Sequence, residues 1–175
     1  MDKVFTIAAS ALVGCTGIAQ AEIVYSGLDH TFAYAGWGDI TLEENQDRIT
    51  DNVWITRGEI QGIFNIAQEP AFQGSGSSSP SPVGTLWALG TTDDYDTLSY
   101  VTWTELHDQH PPGLVGQNVV VHLTDDDIYI DLMFTEWITG GAGGGFSYVR
   151  SSVPTPGSGA LLAAGSLALA RRRRR

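Results

Sequence analysis

The sequence predicts an all-β fold, a single β-sandwich of jelly-roll type, and three observations carry that expectation. Apolar residues come in short runs that alternate with polar ones, sustained 3.6-residue periodicity is missing, and clusters of Gly, Pro, Ser, Asn and Asp separate the runs. Seven or more short strands in one domain fit a sandwich better than a propeller or solenoid, because no internal repeat is evident.

Taken in order, residues 48–56 and 62–67 form a first pair of strands. Residues 73–82 (QGSGSSSPSP) are a flexible surface loop. Residues 84–90 and 98–103 supply two more strands, and residues 104–109 a single helical turn. The strongest signal is residues 118–137. Val119, Val121 and Leu123 alternate with Val120, His122 and Thr124, and Ile128, Ile130, Leu132 and Phe134 alternate with Tyr129, Asp131, Met133 and Thr135. The polar break at 124–127 makes this a β-hairpin with one buried face. Asp131 stands on the other face, which is therefore solvent-exposed or lines a polar groove. A glycine-rich connection at 140–145 leads to a closing strand at 146–150.

Both ends read as addresses rather than as parts of the fold. Lys3 opens a short basic region, an apolar stretch follows at residues 4–14, and Ala19-Gln20-Ala21 gives the small-x-small pattern of a signal peptidase site before Glu22. Residues 1–21 are thus expected to be a signal peptide. A second processing scheme fits the same segment: Leu12-Val13-Gly14-Cys15 resembles a lipoprotein box, which would leave a lipidated Cys15 as the first mature residue. Residues 153–175 combine Pro154-Thr155-Pro156, an apolar segment at 157–170, and the cluster Arg171, Arg172, Arg173, Arg174 and Arg175. As a helix the apolar segment would be about 21 Å long, short of the roughly 30 Å hydrocarbon core. The arginines would stay cytoplasmic, which leaves the preceding domain outside and the tail in the membrane before processing.

Between these ends, residues 22–152 are enough for one domain. Only Asp2 of the 20 acids is lost with the ends, while Lys3 and the five terminal arginines leave the 9 bases, so the domain holds 19 acids against 3 bases, a formal charge of −16. Its basic side chains are Arg48, Arg57 and Arg150. Such a surface repels phosphate backbones and excludes nucleic acid as a partner. Once Cys15 is removed the domain has no cysteine and no disulfide.

Several segments carry a family resemblance: NQDRITDNVWITR (45–57), GIFN (62–65), LWALGTT (86–92), Trp103 with His107, Pro111-Pro112, HLTDDDIYIDLMFTEW (122–137) and GGGFSYVR (143–150). Together they resemble a module of exported bacterial proteins that carry sorting tails. The resemblance implies an extracellular β domain at the cell surface or in the matrix, without a particular activity. The family has Gly-Asn before Pro-Pro, where this chain has Gln109-His110. The C-terminal layout is similar to the PEP-CTERM sorting signal, with Thr155 where that signal has Glu. It implies an exosortase-like transpeptidase as partner.

The chemistry on offer is narrow. No G-x-S-x-G elbow and no Lys-Ser/Thr phosphate loop occur in the sequence. His107 and His110, with His122 as a third donor, are candidates for a metal, and His107 with His122 and an acid for a hydrolase. Two acidic clusters, Asp93-Asp94 with Asp96, and Asp125-Asp126-Asp127, are candidates for calcium, although neither has the EF-hand spacing. The simpler reading of both clusters is solvated turn aspartates that discourage edge pairing. Five tryptophans, Trp37, Trp54, Trp87, Trp103 and Trp137, raise sugar binding against core packing. The leading expectation is an exported, non-enzymatic surface or matrix protein, and the alternative is a calcium-assisted carbohydrate-binding module that takes extracellular polysaccharide.

Overall fold

The alternation at 118–137 produces the two central strands, β7 (Val119–Leu123) and β8 (Ile128–Trp137), in a computed structural model that describes residues 22–74 and 79–154. Their antiparallel register runs from Val119 opposite Leu132 to Leu123 opposite Ile128. Asp127 closes the turn at φ 53°, in the left-handed region that Asp tolerates better than most residues. Ile128, Ile130, Leu132 and Phe134 are all buried, as the pattern requires.

The remaining strands are β1 (Ile23–Tyr25), β2 (His30–Tyr34), β3 (Asp47–Arg48), β4 (Trp54–Arg57), β5 (Ile63–Asn65), β6 (Thr85–Leu89) and β9 (Phe146–Arg150). One six-stranded sheet has the order β2-β9-β8-β7-β6, with β1 running parallel to the first half of β8, and a three-stranded sheet has the order β3-β4-β5. The all-β expectation holds: apart from α1 (Trp103–Leu106) and short 3-10 turns, the regular structure is strand, and all strand pairs but β1·β8 are antiparallel. Ile49, Val53, Ile55 and Ile63 from the smaller sheet and its flanks share one apolar core with Val121, Leu132, Phe134, Phe146 and Tyr148 of the larger. At the seam, Asp47 of β3 receives hydrogen bonds from Arg150 and Tyr148 of β9.

Three expectations need correction. Residues 98–103 are not a strand but a single bridge, Val101 with Trp87. Thr102 stops it by accepting a hydrogen bond from the Glu105 amide as the N-cap of α1. The face carrying Asp131 is only partly open, and the small cavity of about 180 Å³ that Asp131 borders is not a polar groove, being lined mainly by Leu28, Val119 and Leu132. The segment after β6 folds across it, with Tyr95 and Tyr100 packed 4.9 and 5.6 Å from Tyr129, and Thr92 and Gly27 donate to the Asp131 carboxylate. Finally, β1 and β2 were not expected; β2 buries only Phe32 and Tyr34, too short an alternation to stand out.

Cys15, Ala19, Ala21, Thr155, Pro156 and Arg171 to Arg175 lie outside the described residues. Pro154, the last described residue, is exposed and extends from β9 without regular structure. No helix among the described residues is long and apolar enough to cross a membrane.

Candidate functional site

A cleft of about 510 Å³ opens where the end of β4, the helix α1, the end of β8 and the glycine loop before β9 meet. That is within the roughly 300–1,000 Å³ typical of ligand pockets. Arg57, Phe72, Trp103, His107 and Trp137 form its walls, and Ile60, Pro111, Pro112 and Thr139 its rim.

Glycine backbone makes the approach of these elements possible. A Cβ on Gly62 would lie 2.6 Å from Trp103 and 2.7 Å from Phe72, so any side chain there would wedge the aromatic wall apart. Gly144, at φ 71°, would carry a Cβ 2.5 Å from the Gly58 carbonyl oxygen. Bare backbone therefore packs on the turn after β4. The same close approach delivers two carbonyls to Arg57: its Nη1 donates to Ile138 O at 2.8 Å and to Gly145 O at 2.9 Å, while Nε donates to Gln61 O at 2.7 Å. The guanidinium carbon sits 3.9 Å above the Trp137 ring, a cation–π contact. Desolvation lowers the pKa of Arg57 to about 10, which leaves it charged at neutral pH.

The opposite wall comes from one turn of helix. Trp103 begins α1 and His107 is its C-cap, four residues on and hence on the same face, with ring centroids 4.1 Å apart. The Trp103 indole Nε1 and both ring nitrogens of His107 are buried without a hydrogen-bond partner among the described residues. Each such group costs about 1–3 kcal/mol unless water or a ligand satisfies it. Burial lowers the His107 pKa to about 4, so its imidazole is neutral at pH 7. The cleft thus brings together aromatic edges and faces, a neutral imidazole and a guanidinium, while the Trp103 and His107 nitrogens are sealed in its wall.

The other sequence candidates lie elsewhere. His107 and His110 both border a second cavity of about 220 Å³. His122 stacks on Tyr129 at 4.1 Å and meets Asp127 at 3.2 Å, in the outer aromatic layer. Asp125 accepts from Gln68, and Asp126 from Thr50 and Asn52, so adjacent aspartates turn to separate partners. Asp93, Asp94 and Asp96 are exposed around a 3-10 turn. Among the described residues, no three His, Cys, Asp or Glu side chains gather to hold a metal ion. Of the five tryptophans Trp37 alone is exposed, at 66%, against the glycine loop at Gly143. Trp54 lies under Arg48 at 4.3 Å, and Trp87 is buried.

Sequence reasoning singled out Trp103 and His107 by their spacing but missed Arg57, Phe72 and Trp137 as their neighbours. Arg57 did carry a signal: in a domain with three bases, each cation needs a structural or functional reason. No protein-family model, no curated protein and no solved structure matches the chain.

Proposed function

We propose that the chain is an exported, non-enzymatic surface or matrix protein whose β domain, a jelly-roll-like sandwich, binds extracellular polysaccharide through the aromatic cleft. The observation that carries this reading is a cleft of about 510 Å³ walled by the rings of Phe72, Trp103 and Trp137, with the His107 imidazole and the Arg57 guanidinium set among them. Flat apolar faces beside a few fixed polar groups suit a sugar ring, whose C–H faces pack on aromatic rings while its hydroxyls complete hydrogen bonds. Trp37, packed against Gly143 of the glycine loop that borders the cleft, adds an exposed platform for a longer chain.

Export rests on the ends of the sequence: cleavage after Ala21, and sorting of the Pro154–Pro156 tail with its arginines by an exosortase-like enzyme. Mass spectrometry of the exported protein should find Glu22 at the N-terminus and loss of the chain beyond about Pro156; a lipidated Cys15 would replace the first half of that scheme. For binding, a glycan array probed with the wild-type chain and with Trp137→Ala should show glycans retained by the former and lost by the latter. Equal binding by both would remove the cleft from the proposal.

A further inference from the structure

Arg57 is a buried cation without an anion. Of the three arginines among the described residues, Arg48 pairs with Glu43 and Arg150 with Asp47, while Arg57, 3% exposed, meets three carbonyls and the face of Trp137. Its Nε and Nη1 are committed to those carbonyls; Nη2 has no acceptor among the described residues.

The cleft around it is also free of acid. The domain carries 19 carboxylates, yet none of the described residues lining the cleft is Asp or Glu. An isolated buried charge is costly unless paired, and carbonyl dipoles answer only part of that cost. Nη2 can still give a carboxylate a charge-assisted hydrogen bond, which is stronger than the one it would give a neutral hydroxyl.

Resting on the reading of the cleft as a sugar site, we propose that its ligand is a uronic-acid ring, with the carboxylate taken by Arg57 and the ring lying against Trp137 and Phe72. The negative surface opposes this only in part, because charges beyond about 8 Å are screened at physiological salt, while Asp108 is near enough to act on His107. It does restrict the polymer: isolated uronates in a mainly neutral chain suit it better than a continuous polyuronate.

Intrinsic tryptophan fluorescence of the full-length protein, titrated with glucuronate, galacturonate, glucose, galactose and acetate, tests the assignment. Uronates should bind at least about tenfold more tightly than their neutral counterparts, since a charge-assisted pair is lost in the latter, and acetate should bind weakly for want of a ring. Arg57→Gln should remove this preference. Because that variant also loses carbonyl contacts that hold the fold, Ile60→Glu serves as the second probe. Ile60 is 77% exposed on the rim, and a new carboxylate there should weaken uronate binding about fivefold, with glucose unaffected. Neutral sugars binding as well as uronates would overturn the carboxylate assignment but leave the sugar site standing. Acetate binding as well as glucuronate would overturn the ring. If no sugar binds at all, both this inference and the cleft's sugar reading fail.

Discussion

Arg150 grips Asp47 with two hydrogen bonds, Nε to Oδ2 at 2.6 Å and Nη2 to Oδ1 at 2.7 Å, and this pair joins the last strand of the large sheet to the first strand of the small one. Tyr148 completes it with a 2.6 Å bond to Oδ2, and all three residues are buried. Burial pushes the Tyr148 phenol well above its ordinary pKa, and the hydrogen bonds and charge of Asp47 raise that of Arg150 against desolvation.

Removing one partner strands the other. Asp47→Ala should therefore cost about 3–5 kcal/mol, a large share of the roughly 5–15 kcal/mol that stabilises an ordinary domain. Urea denaturation followed by far-UV circular dichroism checks this; a loss under about 1 kcal/mol would show that the sheets are held by apolar packing alone.

The buried face of the hairpin gives a second contrast. Leu132 is 2% exposed in the shared core, so Leu132→Asp places an unpaired charge there and should unfold the domain. Asp126→Asn keeps an oxygen acceptor for Thr50 or Asn52 and should shift stability by about 1 kcal/mol or less. Unchanged thermal melting of Leu132→Asp would contradict the assigned register.

Acid should weaken the fold through His107. Its folded pKa of about 4 lies below the ordinary 6.5, so the folded state binds fewer protons than the unfolded one. The stabilisation is complete above pH 6.5 and is lost as pH falls toward 4. Melting temperatures between pH 7 and 5, where carboxylates remain largely ionised, should fall more steeply for wild type than for His107→Gln. Parallel curves would show that protonating His107 costs the fold nothing.

Calcium and magnesium should raise the melting temperature equally at matched ionic strength. Asp125 and Asp126 accept from Gln68, Thr50 and Asn52, and no three carboxylates gather for a metal among the described residues, so cations are expected to act by general neutralisation of the −16 charge. A shift several degrees larger for calcium would instead establish a specific site at these turns.

How far the sequence could be read follows from the range of the interactions. Ile128, Ile130, Leu132 and Phe134 announce their strand because each inward position is large and apolar, and β9 is legible for the same reason in Phe146 and Tyr148. Thr102, whose hydroxyl accepts from the Glu105 amide, is a local helix-start signal that ends the expected strand. Arg57 belongs to another class. Its acceptors Ile138 and Gly145 lie 81 and 88 residues away, and they reach it only because Gly144 packs bare backbone on the turn after β4. No local pattern encodes that meeting, so the cleft became visible only in three dimensions.

The most direct test of the cleft as the binding site reads the indole N–H signals of the five tryptophans by two-dimensional NMR while a uronate-containing oligosaccharide is added. Trp54 Nε1 is bonded to the Thr50 carbonyl and Trp87 Nε1 to Thr85 Oγ1, whereas Trp103 Nε1 is buried without a partner and Trp137 lines the cleft. The signals of Trp103 and Trp137 should move together with one saturation curve while those of Trp54 and Trp87 stay fixed. Saturating shifts confined to Trp37, or no shift at Trp103 and Trp137 at any concentration, would contradict the account.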